Sequence, residues 1–158
     1  MMTSLCCNVL ETLSGRTLVT AESCTGGGIG AALTAIAGSS AVYKGGIISY
    51  TNWVKENLLG VDKTLLDTFG AVSSPVACAM AEGARIRLQA DVAVSVTGLA
   101  GPGGDDFGNP VGTVFIGYSD ACRTFSRRFS FDGDREQVRQ KTIQAALHIV
   151  LDTNGDKM

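Results

Sequence analysis

Apolar residues along this chain switch repeatedly between helical and extended spacing, and the switches mark out interleaved helices and strands. Leu5, Val9, Leu10 and Leu13 share one helical stripe over about residues 4–14, with Gly15 as a natural stop. Thr17 to Ala21 is a short β-branched run that reads as a strand. It leads through Glu22-Ser23-Cys24-Thr25-Gly26-Gly27-Gly28 into a helical pattern from Ile29 to Ile36. Gly45 to Thr51 reads as a second strand, followed by short helices over about 52–58 and 62–68. Val72-Ser73-Ser74-Pro75 then caps a helix reaching Leu88, with Val76, Ala77, Met80, Ala84 and Leu88 as its buried stripe. Asp91 to Thr97 is almost continuously apolar, the mark of a central strand covered on both faces, and it ends in the glycine-rich loop Gly98–Gly104. Gly112–Tyr118 and Arg123–Phe131 alternate as the strands of a hairpin turning at Ser119-Asp120. Asp132-Gly133-Asp134 caps a last helix from Arg135 to Leu151, and the polar tail from Asp152 to Met158 is expected to fray.

This order predicts an α/β fold: a three-layer α/β/α sandwich on a mixed, mostly parallel sheet of about five strands, with a C-terminal hairpin. A length of 158 residues suits one domain spanning residues 1–158 with a core of its own. The composition, 45% hydrophobic and 18% charged, is globular rather than disordered. A net charge of −2 leaves no basic surplus for a phosphate backbone, so no nucleic-acid partner is expected. Of the five cysteines, Cys6 and Cys7 are adjacent, while Cys24, Cys78 and Cys122 stand apart without CxxC spacing. That usage predicts reduced thiols, with neither a disulfide framework nor a zinc site. The first residues carry no basic leader and no segment reaches membrane-spanning length, which predicts a cytoplasmic protein with no membrane partner.

Candidate chemistry gathers between Gly38 and Leu59, where Ser40, Tyr50 and Lys55 supply a hydroxyl, a phenol and an amine. The same three residue types also occur on ordinary surface loops. A serine needs a base within hydrogen-bond reach to become a nucleophile. His148 is the single histidine and sits in an apolar helical pattern, so a Ser-Lys pair assisted by a tyrosine is the better reading. The helix opening after Glu22 is a possible anion site, or its glycines simply allow close packing on the sheet. Thr97 ends a central strand, where open α/β sheets collect ligands. Arg135 opens a helix, a placement the helix dipole disfavours and a functional role would explain. Cys24 has nothing in sequence to make it a thiolate and reads as a packing residue.

Three longer motifs occur in order: TAESCTGG at Thr20–Gly27, GSSAVYKGGIISYTNWVKENLLGV at Gly38–Val61, and SVTGLAGPGG at Ser95–Gly104, followed by Pro110–Val114 and Gly133-Asp134-Arg135. Together they resemble the CinA C-terminal domain family over about Leu5 to Leu151. Stand-alone members of that family, without its N-terminal pyrophosphatase-like domain, are nicotinamide-nucleotide amidases. The resemblance implies hydrolysis of the carboxamide of nicotinamide mononucleotide to nicotinate mononucleotide and ammonia, with no metal or organic cofactor. It assigns the nucleophile to Ser40, the base to Lys55, the assisting tyrosine to Tyr50, the active-site threonine to Thr97 and the arginine to Arg135. Lys44 is a decoy for the base, and Arg139 rivals Arg135 one helical turn on.

The chemistry is consistent if Lys55 can be neutral: a free lysine near 10.4 must come down by about three units to serve as a base near neutrality. Burial, helped by Trp53, Leu58 and Leu59 on the same helix, or a nearby cation such as Arg135 would do this. Backbone N–H groups of the Gly38-Ser39-Ser40 turn would be oxyanion donors. Arg135, the backbone of Gly98 and Gly101, and the Ser23 and Thr25 turn would cradle a nucleotide substrate. Glu22 could hold ribose or Lys55, or cap its own turn. A homodimer is expected by default. The competing classes are a non-catalytic nucleotide-binding module and a thiol amidohydrolase built on Cys24.

Overall fold

Alternating side chains decide the layering, because the central strands carry apolar groups on both faces. The computed structural model describes residues 1–155. Its strands are β1 (Leu18–Glu22), β2 (Tyr43–Ile48), β3 (Val92–Gly98), β4 (Thr113–Ser119) and β5 (Thr124–Ser130). Its helices are α1 (Met2–Thr12), α2 (Gly28–Thr34), α3 (Asn52–Leu59), α4 (Lys63–Phe69), α5 (Ser74–Arg87) and α6 (Arg135–Asn154), with a 3₁₀ turn at Ser39–Ala41. The strand order is β2-β1-β3-β4-β5. β1 runs parallel to both neighbours, whereas β4 is antiparallel to β3 and β5. Four of the five strands thus point one way.

Leu18, Val92, Val94, Val96, Val114 and Ile116 face α1, α2 and α6 in one core. On the other face Val19, Ala21 and Ala93 meet Leu59, Leu66, Val76, Met80 and Ala84 from α3, α4 and α5. The three-layer α/β/α sandwich follows directly from this period-two split. α5 lies unusually close to the sheet, because Ser95 Oγ donates to Ala77 O at 2.6 Å and Gly117 beneath it has no side chain to intervene.

Among the boundaries that differ from the sequence expectation are both ends of β2 and the end of α6. β2 starts and ends earlier than Gly45–Thr51, since its ladder with β1 runs from Tyr43 opposite Leu18 to Ile48 opposite Glu22. Ser49 then leaves the sheet, and its carbonyl is taken by a side chain of α3 rather than by a strand. α6 continues past Leu151 to Asn154, whose side chain bonds Arg16 at 2.8 Å and the Tyr118 hydroxyl at 3.1 Å. The expected frayed tail is therefore helical at residues 152–154; residues 156–158 lie outside the described residues. Among the described residues no helix is long and apolar enough to cross a membrane.

The C-terminal ends of β1, β2 and β3 open on one side of the sheet, and α3 is pinned there by α5. A Cβ placed on Gly83 of α5 would collide with the Leu59 carbonyl at the end of α3. Backbone cannot yield as a side-chain tip can, so overpacking here should cost about 2–3 kcal/mol. Gly83→Ala is expected to lower the urea midpoint at unchanged m-value; an unaltered midpoint would show that α3 is free to shift.

Candidate active site

Glu22 ends β1 and is 2% exposed, yet none of its oxygens lacks a partner. Oε1 accepts from Thr25 Oγ1 at 2.7 Å and from the Ile29 N–H at 2.8 Å. Oε2 accepts from the Gly30 N–H at 3.0 Å and from Thr20 Oγ1 at 3.1 Å. The N-cap of α2 is Gly27, which has no side chain to cap with. A carboxylate from the preceding strand does that work, satisfying free N–H groups and lying at the positive end of the helix dipole. Glu22 thus caps its own turn and reaches neither Lys55 nor the cleft.

Because successive strand residues point to opposite faces, Ser23 emerges on the other side from Glu22. Its hydroxyl accepts from Lys55 Nζ at 3.1 Å, and Nζ also donates to Ser49 O at 2.8 Å. Lys55 sits in the first turns of α3, which Thr51 caps by accepting from the Val54 N–H. Lys55 is 2% exposed, and burial brings its amine down from 10.5 to about 8, with Cys24 acting in the other direction. Burial pushes the Cys24 thiol itself up to about 11, so it is an unreactive neighbour.

Above this pair lies a cleft of about 310 Å³ lined by Ser23, Lys55, Tyr50, Thr97, Gly98 and Arg135, among others. Gly101 shares the lining. Arg135 spans the rim, donating to Gly101 O at 2.6 Å and to the Tyr50 hydroxyl at 3.2 Å. Thr97 presents its β3 strand end to the cleft while Oγ1 donates to Ala71 O at 2.8 Å, which fixes the loop ahead of α5. Asn52, which sequence reasoning passed over, also lines the cleft at the start of α3.

Several sequence expectations change. Ser40 is exposed in the 3₁₀ turn before β2, whereas Lys55 follows the far end of that strand. Six residues of strand separate the two ends by about 20 Å, so the pairing of Ser40 with Lys55 and the oxyanion role of the Gly38-Ser39-Ser40 turn do not match the geometry. The hydroxyl beside Lys55 belongs to Ser23, which the sequence had placed among the substrate contacts. Its signal was there to read: a serine in the turn after a strand, next to the glycines that open a helix. Thr25 is wholly buried with its hydroxyl on Glu22, so its side chain is not part of the cleft wall. Trp53 and Leu58 are exposed, so of the three apolar residues expected to bury Lys55 only Leu59 lies in the core. The two arginines separate cleanly: Arg135 faces the cleft, while Arg139 bonds the carbonyls of Cys24 and Thr25. Lys44 is occupied at the Gln89 carbonyl, and His148 is exposed on α6.

Known proteins resemble this arrangement over nearly its whole length. The sequence model of the CinA C-terminal domain covers residues 3–154. A CinA-like protein of Parasynechococcus marenigrum (strain WH8102) is 54% identical over 136 residues, covering 85% of this chain and 32% of that protein. The chain spans about a third of the length of several such CinA-like relatives. Nicotinamide-nucleotide amidohydrolase PncC of Pseudomonas putida is 49% identical over 130 residues, covering 82% of this chain and 81% of that one. Among solved structures, competence/damage inducible protein CihA of Agrobacterium tumefaciens superposes with a TM-score of 0.93 at 40% identity, covering 98% of this chain and 96% of that one.

The Glu22 cap has a direct test. In Glu22→Gln one oxygen becomes an NH₂ that cannot accept from a backbone N–H, so at least one buried donor loses its partner. A loss of about 1–3 kcal/mol is expected in equilibrium unfolding. Unchanged stability would mean that water replaces the carboxylate.

Proposed function

This chain belongs to the CinA C-terminal domain family, and we propose that it hydrolyses the carboxamide of nicotinamide mononucleotide to nicotinate mononucleotide and ammonia, with Ser23 as nucleophile and Lys55 as general base. The observation that carries this reading is the buried amine of Lys55 on the Ser23 hydroxyl at the floor of an open cleft. The name borne by the Pseudomonas putida relative supports the choice of substrate.

With its lysine near 8, about a tenth of the protein holds a neutral amine at pH 7. Neutral Lys55 takes the Ser23 proton as Oγ attacks the carboxamide carbon, and the carbonyl oxygen becomes the oxyanion. The backbone N–H of Cys24, which lines the cleft, replaces the Gly38-Ser39-Ser40 turn as its donor. The ammonium of Lys55 then returns its proton to the departing nitrogen, leaving an ester on Ser23 and free ammonia. A water molecule, deprotonated by the same amine, attacks the ester and releases the carboxylate, restoring Ser23. The Ser49 carbonyl keeps Nζ aimed at Ser23 throughout.

Arg135 and Tyr50 occupy the rim and suit the phosphate of the substrate, with the Gly98–Gly101 backbone and Asn52 beside the ribose. Tyr50 therefore acts on substrate placement: its hydroxyl bonds Arg135, while the bonds of Lys55 go to Ser23 and Ser49.

Ammonia release from nicotinamide mononucleotide is expected from the wild type and to fall by at least about 10³-fold in Ser23→Ala and Lys55→Met, while Ser40→Ala stays within about twofold. Binding of the nucleotide without turnover would instead identify a nucleotide-binding module, and a fully active Ser23→Ala would remove the nucleophile. The pH profile is a separate test. Lys55 is protonated and idle below its pKa, so kcat/KM should climb about tenfold per pH unit up to about 8 and level off above it. A flat profile between pH 6 and 8 would exclude Lys55 as the titrating base.

A further inference from the structure

Arg139 takes no part in the cleft, yet it is the side chain most closely tied to the turn that carries Ser23. It projects from the second turn of α6, and its side chain is 33% exposed. Nε donates to Cys24 O at 3.1 Å and Nη2 donates to Thr25 O at 3.1 Å. The outward Nη1 reaches only the exposed Glu136 carboxylate at 3.4 Å. One planar cation therefore holds two successive carbonyls of the segment that immediately follows the nucleophile.

A trans peptide unit sets its C=O and N–H in opposite directions. With Cys24 O drawn to α6, the Thr25 N–H of the same unit faces away from α6. With Thr25 O drawn to α6, the Gly26 N–H of that unit closes the turn by donating to Ser23 O at 3.1 Å. A chain of bonds thus runs from Arg139 through the Thr25–Gly26 peptide to the backbone of Ser23. Hydrogen bonds in series polarise one another, most strongly where one donor is charged and the surroundings are buried.

We propose that Arg139 is a positioning residue for the hydrolysis. By clamping the Cys24 and Thr25 carbonyls, its guanidinium fixes the Ser23 turn against α6 and with it the placement of the Ser23 hydroxyl on Lys55. The proposal rests on Ser23 being the nucleophile. It also separates two arginines one helical turn apart: Arg135 grips substrate, and Arg139 grips the catalytic turn.

The test measures kcat and KM for nicotinamide mononucleotide, across pH, in the full chain carrying Arg139→Gln, Arg139→Lys or Arg135→Gln, with thermal unfolding of each. Loosening the turn by a fraction of an ångström should lower kcat of Arg139→Gln by about 10–100-fold with KM within about threefold. The rise toward pH 8 should persist, because the amine of Lys55 stays buried. Arg139→Lys, able to reach one carbonyl with its charge, should recover part of kcat, whereas Arg135→Gln should mainly raise KM. A kcat for Arg139→Gln within twofold of wild type would overturn the proposal. So would a loss confined to KM, or a loss in both Arg139 variants that merely follows the unfolded fraction. Should Ser23→Ala remain active, the amidase mechanism fails and the proposal with it. An inactive Ser23→Ala beside a fully active Arg139→Gln would defeat the proposal alone.

Discussion

A lysine amine held out of water is the constraint on which the remainder of the site depends. Bringing Lys55 from 10.5 to about 8 corresponds to about 3 kcal/mol against its charged form, which the fold bears below pH 8. The sign follows from proton counts. Between about 8 and 10.5 the unfolded chain keeps a proton on this lysine that the folded chain has released, so stability recovers as pH rises through that window. The rest of the fold must hold Nζ against that cost, and it does so with two oxygens, Ser23 Oγ and Ser49 O, at the ends of adjacent parallel strands. Close contact of Gly83 with the last turn of α3 keeps the helix from sliding out to solvate its lysine.

The same turn answers a second buried charge. Glu22 and Ser23 are consecutive and point to opposite sides, so one residue anchors the start of α2 while the next faces Lys55. The carboxylate therefore stabilises the backbone geometry without neutralising the amine across the strand. Ion pairing between the two would have raised the lysine. Separate satisfaction of the two charges, each by neutral partners, is what makes a buried acid and a buried base compatible within one short segment.

Cleft placement follows from topology. β1, β2 and β3 are parallel and release their C-terminal loops on the same side, the usual place for ligands in open α/β sheets. Beyond β3 the sheet turns antiparallel, and the β4–β5 hairpin feeds α6 back across the sheet to the cleft edge. The first two turns of α6 then touch all three strand ends: Arg135 reaches Gly101 after β3 and Tyr50 after β2, and Arg139 reaches the turn after β1. The asymmetry of a mixed sheet puts one helix in charge of the whole rim.

Local signals were enough for the elements and their layering. The short β-branched run of β1, the near-continuous apolar run of β3, the Asp134 cap and the glycine stops each act within a few residues, so they are legible in a linear chain. Lys55, Thr97 and Gly101 in the cleft wall, and Arg135 at its rim, were legible because each sits at or near an element end that the pattern locates. The partner of Lys55 was not. Ser40 is fifteen residues from it in sequence and at the wrong end of β2, while Ser23, thirty-two residues away, is within hydrogen-bond reach. Proximity along the chain says little once a strand intervenes, because six extended residues carry the chain from one end of the strands to the other. Which hydroxyl meets the amine is settled only by the parallel register of β1 and β2, which sets the end of one strand beside the end of the next.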